Sequence, residues 1–188
     1  MDGVQKDLHD PIMQDSSVSI ITIDSEEGLE IMRHTLTAQV LARAVKNLYP
    51  KSKLAIGPTI KDGFYYDVEC DETISVDDLK NIEKEMDKIV KTKSSITKKL
   101  LSKKDALKVF KDKDESYKEE IINDSDQEDK FQLYYQDDED FVDLCKGPHL
   151  PSLNFIGAYK LTTISGAYWK GDSSNTMLTR IYGTAWRN

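Results

Sequence analysis

The chain has 188 residues, 38% of them hydrophobic and 32% charged, enough for one sizeable core. Its formal net charge of −8 argues against a uniformly basic nucleic-acid surface. No run of about 18 apolar residues offers a membrane span, and two cysteines, Cys70 and Cys145, make no disulfide framework.

The opening, "MDGVQKDLHDPIMQ", is polar and has no apolar signal region, so a cytoplasmic location is expected, with Cys145 a thiol or ligand rather than half of a bridge. "SVSIITI" (17–23) alternates as a strand does. The next stretch, to "LYP", predicts the main helix: Asp24 or Ser25 caps it, acids fill its first turn and Pro50 stops it. Leu29, Met32, Leu36, Val40 and Val45 give that helix a broad apolar face.

"KLAIGPTIKDGFYYDVEC" reads as two strands broken at Gly57-Pro58, with a hairpin turn at Asp62-Gly63. A second helix follows, with Ser75 and Asp78 spaced as a capping box. "SSITKKLLS" predicts a strand, and "SKKDALKVFKD" a helix capped by Ser102; "DESYKEEIIND" predicts a further helix or helical turn. "FQLYYQ" and "FVDLC" read as strands, "YKLTTISGAYWKGD" as two short strands around Gly166, and "TRIYGTAW" as one more. Helices and antiparallel hairpins alternate irregularly. The expected class is α+β: a largely antiparallel sheet packed with a long helix, plus a small helical and strand insertion at about 74–124.

Charge is segregated. Nine lysines against two acids lie between Lys91 and Lys113, and acids dominate from there to Asp143. The lysine run is either a face for an anionic partner or ordinary solvated surface.

"VDLCKGPH" gathers much of the soft chemistry, with Asp143, Cys145 and His149 inside seven residues. Gly147-Pro148 excludes a helix there, so a strand end and a tight turn would fold His149 back toward Cys145. One C-x-x-x-H is a weak metal signal alone, equally consistent with a buried thiol and a backbone-bonded imidazole. The other histidine on strong secondary structure is His34, in "RHTLTAQ".

In chain order, "RHTLTAQVLARAVKNLYP", "KLAIGPTIKDGFYYDVE", "DESYK", "VDLCKGPH" and "SGAYWKGDSSNTMLTRIYGTAW" resemble the N-terminal editing domain of bacterial threonyl-tRNA synthetases. The resemblance implies that residues 24–188 are that editing (second additional) domain. It makes residues 1–23 the remnant of a preceding ubiquitin-like TGS domain, with the aminoacylation domain, its ATP site and its zinc beyond this chain. The implied reaction is hydrolysis of serine wrongly attached to tRNA(Thr), where one missing methyl gives a binding pocket only about 1–3 kcal/mol of discrimination.

By resemblance, His34, Lys118, Asp143, Cys145 and His149 are the catalytic set, and Tyr66, Gln39 and Thr35 line the substrate pocket. His34 or His149 would orient water as base. Lys118 would stabilise the oxyanion or leaving group. Asp143 would take the α-ammonium or the seryl hydroxyl, and Cys145 would shape a pocket too tight for threonine. Replacing Lys118 or His149 is expected to cut hydrolysis with little loss of fold.

The family's two helical histidines lie four apart. Here the string is one residue longer, with Gln39 in the second place and, counted back from "LYP", Thr35 in the first. A π-bulge in the helix would absorb the extra residue and return His34 to the pocket.

The implied partner is the serine-charged acceptor end of tRNA(Thr), met by the lysine run; no membrane contact is expected, and the full-length protein would be a homodimer. No cofactor is expected for editing. If zinc is held, His34, Cys145 and His149 are its ligands. Two other readings remain: a tRNA-binding module that has lost editing, and a zinc-dependent deacylase of the alanyl type.

Overall fold

The computed structural model describes residues 1–137 and 141–187. One continuous helix runs from Glu26 to Leu48 in three stretches: α1 (Glu26–Thr35), a π-helical stretch (Leu36–Leu41) and α2 (Ala42–Leu48). Ser25 is the N-cap and accepts from the Gly28 N–H at 3.0 Å. The widened turn shows in the Ala42 N–H, which bonds the carbonyl of Thr37, five residues back.

The principal sheet is antiparallel, in the order β1 (Lys53–Leu54), β3 (Gly63–Glu69), β8 (Met177–Trp186), β7 (Ala158–Tyr168), with β2 (Thr59–Ile60) also paired to β3. The β2–β3 hairpin turns at Lys61 and Asp62, one residue earlier than the Asp-Gly signal, and Asp62 takes φ +60°. Residues 158–168 form one strand, not two short ones. Its irregularity is a bulge between Leu161 and Thr163. Gly166 lies within the ladder, opposite Thr179, with the Met177 side chain against its Cα.

The 74–124 region supplies α3 (Leu79–Lys91), β4 (Ile96–Leu101), α4 (Lys103–Asp112) and α5 (Ser116–Asn123). The Ser75–Asp78 capping box forms, and Ser102 caps α4 through the Asp105 N–H. β4 pairs with β5 (Phe131–Gln136), which pairs with β6 (Val142–Leu144), giving a second, three-stranded antiparallel sheet.

Met32, Leu36, Val40, Leu41 and Val45 of the long helix share the main core with Phe64, Tyr66 and Ile181 of the large sheet and Ile82 and Met86 of α3. A second cluster joins Ala106, Phe110 and Ile122 of α4 and α5 to Phe131, Leu133, Tyr135 and Val142. The long helix therefore lies where the turn after β6 can reach it.

Residues 17–23 form no strand. Their alternation leaves Val18 and Ile20 exposed, because no neighbouring strand offers them a ladder. Among the described residues no helix is long and apolar enough to cross a membrane.

Candidate active site

The π-helical stretch decides where His34 points. An extra residue in a regular helix would turn everything before it by about 100°; one wide turn absorbs it instead. His34 faces the turn after β6, its Nε2 2.9 Å from Cys145 Sγ and its Nδ1 3.2 Å from the carbonyl oxygen of Pro148. A carbonyl only accepts, so Nδ1 carries the proton and Nε2 offers a lone pair to the Cys145 thiol.

His149 is buried, and its ring stacks on His34 at 4.5 Å between centroids. Its tautomer follows from Thr35. The Thr35 hydroxyl spends its proton on the Ile31 carbonyl at 2.8 Å and accepts from the Leu150 N–H at 2.9 Å. His149 Nδ1, 3.2 Å away, must therefore donate to it. That leaves His149 Nε2 a buried lone pair without a partner among the described residues. One ligand atom from each of His34, Cys145 and His149 lies within 4.8 Å of the others.

Burial holds both imidazoles neutral. It lowers His34, with the Pro148 carbonyl and the Asp143 charge acting the other way. It lowers His149 further, helped by repulsion from His34. Burial also pushes the Cys145 thiol up to about 11. The cluster at neutral pH is thus two neutral rings and a protonated thiol.

Beside it lies a buried ion pair. Lys118 Nζ sits 2.7 Å from Asp143 Oδ1, both side chains 3% exposed or less. Asp143 also accepts from the Tyr66 hydroxyl at 3.1 Å and the Leu144 N–H at 2.8 Å. Its oxygens are filled by protein groups. Glu115, just before α5, ties that end of the helix down: its carboxylate accepts from the Leu54 N–H at 2.7 Å and pairs with Lys46 at 2.6 Å.

Gln39 is buried but stands apart from the histidines. Gln136 Nε2 donates to the Gln39 carbonyl at 2.7 Å and lies 3.3 Å from its side-chain oxygen, while Gln136 Oε1 accepts from Arg43 at 2.7 Å. Of the eight residues singled out in the sequence, His34, Thr35, Cys145 and His149 form one cluster and Lys118, Asp143 and Tyr66 an adjoining one, while Gln39 belongs to a third network.

Two residues that the motif reading passed over complete the wall. Tyr134 of β5 stands edge-on to His149 at 4.4 Å. Gly147 takes φ +63°, and a Cβ there would come 1.9 Å from the Tyr134 hydroxyl, so only glycine lets the turn close. Asp7, in the N-terminal arm, accepts from the His149 N–H at 2.9 Å and from the Tyr134 hydroxyl at 2.7 Å. Alternation in "FQLYYQ" puts Phe131, Leu133 and Tyr135 on one face and Tyr134 on the other, with Gln132 and Gln136, so it does not single out Tyr134; no spacing signal could have pointed to Asp7.

The lysine run divides. Lys98 is turned inward onto Asp7 and Asp10, Lys99 lies over the Tyr135 ring, and Lys103 bonds the carbonyl of Ser125. Lys104, Lys108 and Lys111 stay exposed along α4.

Residues 132–182 match the family model described as the threonyl and alanyl tRNA synthetase second additional domain. Over 186 residues, 99% of this chain, the threonine–tRNA ligase of Francisella philomiragia is 50% identical, that of Legionella pneumophila 48% and that of Acidithiobacillus ferrooxidans 47%. The chain spans only 29%, 29% and 28% of those proteins.

Proposed function

This chain belongs with the bacterial threonine–tRNA ligases, as a segment less than a third their length, and we propose that it is an editing module that hydrolyses seryl-tRNA(Thr). In this reading residues 24–188 are the editing domain and residues 1–23 the end of a preceding ubiquitin-like domain.

The observation that carries the proposal is the free, buried Nε2 lone pair of His149, on a ring stacked 4.5 Å from His34, which itself meets Cys145. Water hydrogen-bonded to that nitrogen attacks the aminoacyl carbonyl carbon and passes its proton to His149. The carbonyl–ribose C–O bond then breaks, and the ribose oxygen takes that proton back from His149 as it leaves. Lys118 adds positive charge beside the developing oxyanion, its own position set by Asp143. Cys145 is a wall, not a nucleophile, since its thiol stays protonated at neutral pH and donates to His34. The place of His34 in the cluster favours a working site over one that has lost its base.

The test is deacylation of serine-charged tRNA(Thr), with threonine-charged tRNA(Thr) as control. Rapid loss of serine alone supports the reading; equal rates, or none with tRNA bound, defeat it.

A second reading rests on the donor set. Two neutral Nε2 lone pairs and a thiol suit zinc, so His34, Cys145 and His149 would be the residues to hold it. Zinc held there would act as a Lewis acid and as a source of hydroxide. Gln39, tied to Gln136, adds no fourth donor. Chelator-insensitive hydrolysis by metal-free protein would dismiss this reading.

A further inference from the structure

We propose that Asp7, in the N-terminal arm, is a positioning residue for His149; the proposal rests on the hydrolytic reading above. Residues 1–24 contain no helix or strand, and most of them are exposed. Yet the Asp7 side chain is only 13% exposed. One oxygen accepts from the His149 peptide N–H at 2.9 Å. The other accepts from the Tyr134 hydroxyl and from Lys98 Nζ, each at 2.7 Å. A single carboxylate thus joins the arm, β4, β5 and the turn that carries the imidazole.

These contacts add a polar hold on the turn to the packing of the imidazole against His34 and Tyr134. A cavity of about 250 Å³ lies between the arm and β4, bordered by Asp7, Asp10, Thr97, Lys98, Tyr134 and His149. Without Asp7 the His149 N–H, on a residue 4% exposed, loses its acceptor, and the Tyr134 hydroxyl is left with Gln132 Oε1 at 3.1 Å as its acceptor. The turn would then shift, and a displacement of about 1 Å at a reacting group can cost about 100-fold in rate.

Asp10 supplies the control. It bonds Lys98 and the Asp7 N–H but, among the described residues, makes no hydrogen bond to His149 or Tyr134. The experiment compares Asp7→Ala, Asp7→Asn and Asp10→Ala in the full chain. It uses single-turnover deacylation of seryl-tRNA(Thr) across tRNA concentrations and two-dimensional 1H–15N spectra of the histidine rings.

Asp7→Ala is expected to lower the maximal rate about 10- to 100-fold with half-saturation unchanged, and to mix the His149 tautomers. Asp7→Asn, whose amide oxygen can still accept from the His149 N–H, should recover part of both. Asp10→Ala should leave the His149 spectrum in place. Unchanged His149 signals in Asp7→Ala, or equal effects of Asp7→Ala and Asp10→Ala, would overturn the proposal. If the unaltered chain hydrolyses nothing, the hydrolytic reading fails, and the ring spectra alone decide whether Asp7 sets His149. Should Asp7→Ala fail to fold, the Asp7→Asn spectra decide the same point.

Discussion

His34 and His149 stack face to face, with ring centroids 4.5 Å apart and planes inclined by 28°. Two imidazoles so placed cannot both be charged, and burial lowers both below the ordinary value of 6.5. In the unfolded chain both rings take up protons near 6.5, whereas in the folded chain they resist until lower pH. Their contribution to stability is therefore full well above pH 6.5 and falls as the pH drops through it. Denaturation at pH 7.5, 6.5 and 5.5 should show a small loss in the first step and a larger one in the last, and His149 ring shifts should not move until well below 6.5. A His149 that titrates at its ordinary value would contradict the buried, neutral ring.

Lys118 and Asp143 pair inside the protein, so the expectation that Lys118 can be replaced with little loss of fold does not survive. Lys118→Ala leaves a buried carboxylate unpaired and should cost about 3–5 kcal/mol in urea denaturation. Lys118→Met with Asp143→Asn removes both charges and keeps an acceptor for Tyr66. That double variant should regain most of the stability but not the hydrolysis. If Lys118→Ala denatures as the unaltered chain does, the pair is not the buried bridge described.

Gln39 offers a sharper test of who lines the pocket. Its side-chain nitrogen is buried without a partner among the described residues, and its backbone carbonyl already holds Gln136. Gln39→Met should change stability by no more than about 1 kcal/mol and keep most of the hydrolysis. Loss of hydrolysis with the fold intact would return Gln39 to the substrate's path.

Cys145, held protonated with a pKa of about 11, should react slowly with iodoacetamide in the native protein at pH 7.5. Cys145→Ala should retain measurable hydrolysis. Fast alkylation that abolishes activity would point instead to a nucleophilic thiolate.

On the surface, Lys104, Lys108 and Lys111 are exposed cations of the lysine run that lie together on α4. Each one replaced by alanine should weaken tRNA binding and lower the salt-dependence slope by about one if it meets a phosphate. Lys98, consumed by Asp7 and Asp10, should leave that slope unchanged. A slope unmoved by all three α4 substitutions would make this face plain solvated surface.

Much of this was legible one segment at a time. The caps at Ser25, Ser75 and Ser102, the long helix, the antiparallel strands and the "VDLCKGPH" turn depend on neighbours a few residues away, and local sequence encodes those interactions. The strand expected at 17–23 failed for the converse reason, because alternation makes a strand only where another strand accepts its hydrogen bonds. Gly166 misled in the same way: it marks close approach to Met177 within a ladder, not a break.

By itself the sequence determined the α+β class and the family, and it named the side chains that the fold then brings together, His34, Cys145 and His149 among them. Tertiary structure alone decided their states. The wide turn at Leu36–Leu41 aims His34, Thr35 sets the His149 tautomer, Lys118 finds Asp143, and Asp7 reaches across from the arm. Each depends on groups from distant parts of the chain meeting in a place without water, where an unpaired polar atom is costly and every proton must therefore have an assigned partner.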